Sequence, residues 1–196
     1  NYVLVKSVDD FPAPSGGVIT LDENTYYEIN GLIILSDPIN LNNAYLSGED
    51  ANEDILQSPG TVCQGNTGGN IRNITIQGGG TAFDITGPGI ATNETLLLQN
   101  TIRLGMASVG TISSLGIYFT NIVNYAGNTD GVTYTNIGNL LLNNQGWLGN
   151  NGGTFETLTG NFGLVEKVSG FSTVPTGATG LDVSANPTIA GSAVLQ

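Results

Sequence analysis

The sequence predicts an all-β chain wound as a parallel β-helix, a solenoid with coils of about 22 residues. Three observations carry that expectation. Helical periodicity is missing, short β-branched and aromatic runs bounded by turn residues take its place, and one phrase, TLLLQN at 95–100 and NLLLNN at 139–144, is written twice.

No long window places apolar side chains at i, i+3, i+4 and i+7, and Gly or Asn interrupts most of them. The expected strands are, in order, GVITL (17–21), YYEI (26–29), LIIL (32–35), ITI (74–76), LLL (96–98), IYF (117–119), LLL (140–142) and LVEKV (164–168).

A constant step, equal to half the distance between the two triplets, links several of them. From Ile74 it reaches Leu96, Tyr118, Leu140 and Phe162, and from Ile76 it reaches Leu98, Thr120, Leu142 and Leu164; only Thr120 is polar. The position between, Thr75, Leu97, Phe119, Leu141 and Gly163, is mixed. Leucine-rich repeats lack a match here, because their L-x-x-L-x-L-x-x-N pattern and helical segments are absent. Coils of a β-helix stack about 4.8 Å apart, so the two triplets read as one wall two coils apart, with Asn100, Asn121 and Asn143 placed for an amide ladder. Upstream the period is obscured by GEDANEDILQSPGTVCQGN, read as a long loop, and downstream the next step lands on Ser184 and Asn186. A register slip, or the end of the stack, is expected there, with both open ends capped.

The chain reads as a single domain, 1–196, with an N-terminal cap and first coils over 1–65, regular coils over 66–170 and a C-terminal coil or cap over 171–196. It does not begin with Met and opens on no signal-peptide pattern, so it reads as a processed product or a piece of something longer.

Composition narrows the function. Lys6, Arg72, Arg103 and Lys167 stand against 16 acids, a net charge of −12, which argues against nucleic acid and anionic membranes as partners. The stretch from Asn1 to Asp54 holds ten of those acids and one base, a solubilising end. Within it Glu49, Asp50, Glu53 and Asp54 lack the spacing of a calcium loop. No stretch is long and apolar enough to insert in a membrane. There is no His, which removes His-based triads and most zinc and copper chemistry. Cys63 is alone and reads as a small buried hydrophobe. The triplets Asn73-Ile-Thr and Asn93-Glu-Thr read as chance glycosylation patterns, with Asn73 in a strand.

DDFPAPSGGVITLDENTYYEINGLIIL, then SGED and NIRNITIQGGG, resembles the first coils of right-handed, pectate-lyase-like β-helical proteins. In particular it resembles the β-helical structural and tail-associated proteins of bacteriophages. The resemblance implies a right-handed superhelix, a homotrimer and a place on a virion.

Fold alone does not give function. The acids of the coil region are Asp84, Glu94, Asp130, Glu156, Glu166 and Asp182. Asp84 and Asp130 lie close to two coils apart, a spacing slightly too long for a hydrolase pair, and Asp130 sits in the turn NTDG. Arg72 and Arg103, the bases a lyase would use, fall on different faces, and Arg103 in TIRLG alternates with apolar neighbours as an outward side chain would. QGGGT and NNGGT lack the Lys of a phosphate loop. Tyr118, Phe119, Tyr125 and Tyr134 read as core, and Trp147 reads either as a core or interface residue or as a ligand platform. Ice binding would want T-x-T rows, and TYT at 133–135 reads as unrepeated by coil. No catalytic, cofactor-binding or metal residues are assigned.

The expected function is therefore a non-enzymatic structural or receptor-binding, glycan-facing component of a bacteriophage virion. Its expected partners are copies of itself in a trimer, other virion proteins and a bacterial surface polysaccharide. The alternatives are a polysaccharide lyase or glycoside hydrolase on the same fold, or a secreted or cell-surface bacterial adhesin or an ice-binding surface.

Overall fold

Parallel pairing between strands one coil apart builds the molecule. A computed structural model describes residues 1–195; Gln196, the last residue of the expected C-terminal coil, lies outside the described residues. Among the described residues twenty strands, from 2 to 16 residues long, form about eight turns of a right-handed parallel β-helix, about 24 residues per turn. The only helical element among the described residues is a 3-10 turn at Val8–Asp10.

Three faces surround the core. Face A stacks Tyr2–Val5, Tyr26–Ile29, Tyr45–Ser47 and Gly69–Arg72 under residues 95–99, 117–121, 139–143 and 164–168. Face B stacks Leu32–Ile34, Ile55–Gln57 and Thr75–Gln77 under 102–104, 123–125, 146–147 and Phe171–Ser172. Face C stacks Ile19–Thr20, Ile39–Asn40, Cys63–Gly65, Thr81–Thr86 and Ser108–Ser113 under 132–135, 154–157 and Thr179–Asp182.

The repeated phrase lies on one wall, as expected. Leu96 pairs with Tyr118 and Tyr118 with Leu140, while Leu98, Thr120 and Leu142 form the neighbouring column. The constant step holds only across these coils. Before them Leu96 faces Gly69, and after them Leu140 faces Val165, both at longer intervals. Phe162 pairs instead with Ile137 and then Ile189, so its apolar identity belongs to another part of the wall. Coil lengths vary because corners accept insertions without disturbing the ladder. The segment expected as a loop before Ile74 contains two ladder strands, Ile55–Gln57 and Cys63–Gly65.

One corner sets the phase of everything after it. Asn73, Asn100, Ile122, Asn144 and Ser169 form a column of left-handed residues between faces A and B, with φ of 50, 49, 58, 51 and 56°. A left-handed residue turns the chain and inverts the alternation, so Leu96 and Leu98 point inward before the corner, and Thr101 and Arg103 after it. Asn73 is therefore a corner residue, not part of a strand. The amide ladder sits here in two rungs: the side chain of Asn100 donates to Asn73 at 3.0 Å, and that of Asn144 to Asn121 at 2.7 Å. Asn143, expected in the ladder, leaves its side-chain oxygen buried without a hydrogen-bond partner. Ile122 interrupts the column.

The core changes character along the axis. Ile33, Leu56 and Ile76 stack on face B in the early coils, followed by Arg103, Tyr125 and Trp147. All six are buried. Cys63 is buried as expected, and burial pushes its thiol up to about 12. At the N-terminal end Phe11 covers Tyr27, with ring centroids 5.7 Å apart. The C-terminal coil leaves Phe171, Val174, Leu181 and Val183 exposed.

Candidate functional site

The acids considered for catalysis are dispersed, and most of them are occupied. Asp84 points outward on face C, and its column continues through Thr111 to Thr133, past Asp130 in the chain. Asp130 is a turn residue: one side-chain oxygen accepts from the amides of Gly131 and Thr154, both at 3.0 Å. Glu94 accepts from the amide of Gly68 at 2.6 Å, and Asp182 from that of Ser184 at 2.8 Å. In the acidic loop, Asp54 accepts from the amides of Gly31, Glu49 and Asp50 at 2.8, 2.7 and 3.0 Å, so it anchors the insertion between faces A and B. Among the described residues no three His, Cys, Asp or Glu side chains form a metal-binding group, and no helix is long and apolar enough to cross a membrane.

Arg72 and Arg103 lie on different faces, but Arg103 corrects the reading of TIRLG. It is fully buried, with its guanidinium 4.8 Å from the centre of the Phe83 ring. Nη1 donates to the carbonyl of Ile102 at 3.1 Å, while Nε and Nη2 have no hydrogen-bond partner. Burial pulls its ionisation below the ordinary arginine value. The outward reading rested on the apolar neighbours Ile102 and Leu104, but after the corner at Asn100 it is these two that face outward. The inversion after Asn144 likewise turns Trp147 inward: its ring stacks on Tyr125 at 3.8 Å and on Phe155 at 5.0 Å. The platform reading of Trp147 is thereby excluded. Tyr118, Tyr125 and Tyr134 are core, as expected, whereas Phe119 points outward and is half-buried.

Further along, Glu156 occupies an inward position of face C and pairs with Lys167 at 2.5 Å, the one ion pair among the described residues. Lys167 also donates to the side-chain oxygen of Gln145 at 3.1 Å, and Gln145 donates to the hydroxyl of Tyr125 at 3.2 Å. Burial raises the ionisation of Glu156, and Lys167 opposes that rise. Within this network Glu156 is buried, while Lys167 remains partly exposed at 20%.

The accessible aromatic surface is elsewhere, on the outer side of face A. Tyr2, Tyr26 and Tyr45 are in register and are 59%, 38% and 41% exposed. The rings of Tyr2 and Tyr26 stack at 6.1 Å, and Tyr2 donates to Glu28 at 2.9 Å, a bond that raises its ionisation. One coil beyond Tyr45 the column holds the smaller Asn70. There a groove of about 190 Å³ opens, lined by Tyr26, Tyr45, Ser47, Asn70, Arg72 and Asn73. It offers aromatic rings, amides and one guanidinium in a small space. Sequence reading passed over these tyrosines; the signal was their recurrence at intervals close to one coil, with Tyr27 alternating inward.

The class that the fold defines is the parallel β-solenoid. No protein-family model, no curated protein and no solved structure matches this chain.

Proposed function

We propose that this protein is a non-enzymatic structural and receptor-facing module of a bacteriophage virion, and that the outer side of face A contacts a bacterial surface glycan. The observation that carries the reading is the groove beside Tyr26 and Tyr45. Aromatic rings pack against the C–H faces of sugars, while Asn70, Asn73 and Arg72 supply hydrogen bonds to hydroxyls. The ladder behind it is rigid, which limits the entropy lost on binding. Under the same reading the chain forms a homotrimer, packing through the half-buried outer column of Leu97, Phe119 and Leu141. A monomer in sedimentation would remove that part.

The test is chromatographic sizing of candidate surface polysaccharides before and after incubation, with bound protein assayed in the same fractions. The expected result is intact chains carrying protein, with Tyr45→Ala and Arg72→Ala each binding about tenfold more weakly. Shortened chains would overturn the non-enzymatic reading, and intact chains without protein would overturn glycan contact.

A further inference from the structure

The outer side of face C has a different chemistry. Its successive rows read DIT at 84–86, TIS at 111–113, TYT at 133–135 and TLT at 157–159. The ladder puts Asp84, Thr111, Thr133 and Thr157 in one column and Thr86, Ser113, Thr135 and Thr159 in the next. TYT is therefore repeated by coil, contrary to the sequence reading. Unequal coil lengths and the serine at 113 had concealed it. The residues between, Ile85, Ile112, Tyr134 and Leu158, are all buried, so the hydroxyl-bearing positions alternate to the outer side, where the threonines are at least partly exposed and Ser113 is covered.

We propose that this array is an ice-binding surface. Strand geometry fixes the two repeats, about 4.8 Å from coil to coil and about 6.6 Å from one outward residue to the next along a row. Threonine is held at χ1 by its branched carbon, so its methyl and hydroxyl take fixed places in that lattice. The columns are tied together: Thr135 and Thr159 share a hydroxyl hydrogen bond at 2.6 Å, and Ser113 donates to Thr86 at 3.0 Å. No ionisable side chain points outward from rows 111–113, 133–135 and 157–159, and no aromatic ring stands on them. The three rows 111–113, 133–135 and 157–159 form a charge-free face of methyls and hydroxyls, bounded in one column by Asp84 on one side and Asp182 on the other. This face lacks the ring and guanidinium that a single sugar needs. It suits a ligand that repeats in two dimensions itself. Methyls favour caged water, and the fixed hydroxyls join that water to a crystal. The array is small, so the expected activity is inhibition of ice recrystallisation and incorporation into ice more than a large freezing-point gap.

The inference is independent of glycan contact, which uses face A. The full chain, fluorescently labelled, is grown into a polycrystalline ice hemisphere beside an unrelated protein of similar size, and grain growth is followed on annealing. Wild type is expected to enter the ice and hold grains small. Thr133→Tyr and Thr157→Tyr, each confirmed folded by its melting curve, are expected to lose both effects several-fold, while Tyr45→Ala keeps them. Exclusion of the wild type from ice, or equal entry by the threonine variants, would overturn the proposal. So would retention on particles of crystalline cellulose or chitin without entry into ice.

Discussion

The early and late coils share one ladder and differ in what they bury. Along face B the interior runs Ile33, Leu56, Ile76 and then Arg103, Tyr125, Trp147, with Glu156 and Lys167 closing the late coils. Aliphatic stacking needs only burial. The late half needs partners for its polar groups, and supplies some through Gln145 and Tyr125 while leaving others, on Arg103, Tyr134 and Trp147, unpaired. The comparison teaches that parallel stacking tolerates either kind of interior, provided each column keeps its register.

The largest test of the late half is Lys167→Met. Glu156 is 1% exposed, so removing its partner strands a buried carboxylate and should cost about 3–5 kcal/mol at neutral pH. The pH dependence has a definite sign. The folded pKa of Glu156 is raised above its unfolded value, so the native state holds the proton more tightly and stability falls as pH rises from the unfolded value through the folded one. In Lys167→Met that fall should steepen, and acidification should recover much of the loss; denaturant melts from acidic to neutral pH measure it. A loss independent of pH would point to packing instead.

Arg103→Met should act in the opposite direction. A fully buried guanidinium with two unpaired nitrogens costs desolvation energy, and an apolar side chain of similar length makes the late interior resemble the early one. A gain of about 2 kcal/mol is expected in the same denaturant measurement. A loss would mean that the contact with Phe83 outweighs the buried charge.

The smallest effect is at the corner. Ile122 is a β-branched residue at φ 58° where three of the other four members of its column are Asn. Ile122→Asn should relieve that strain and extend the amide ladder toward Asn100, adding about 1 kcal/mol and raising Tm by about 2–4 °C. An unchanged or lowered Tm in scanning calorimetry would show that the column gains nothing from Asn at this place.

How much was legible in the sequence depends on the distance over which a rule acts. YYEI is a strand with the bounds expected, Tyr118 and Leu140 point inward as their repeat requires, and Asp130 is the turn residue that NTDG signals. The failures share a cause. Arg103 was judged by its apolar neighbours Ile102 and Leu104, and Trp147 by the amides and glycines around it, whereas the phase set at the corners Asn100 and Asn144 turns both inward. The threonine rows and the tyrosine column were hidden by coils of unequal length, which a constant step cannot follow.

By itself the sequence determined the all-β class, the absence of histidine chemistry, the parallel coil and the identity of the wall that bears the repeated triplets. The first two follow from composition and from periodicity within a strand, which depend on near neighbours. The coil and its wall were legible where neighbouring coils keep a constant length, as they do from Leu96 to Leu140. The tertiary structure alone decided which side chains enter the core after each corner and which columns form on the outer faces. A column is made by residues a whole coil apart. Its register is fixed by backbone hydrogen bonds between coils, and those bonds exist only in the folded solenoid.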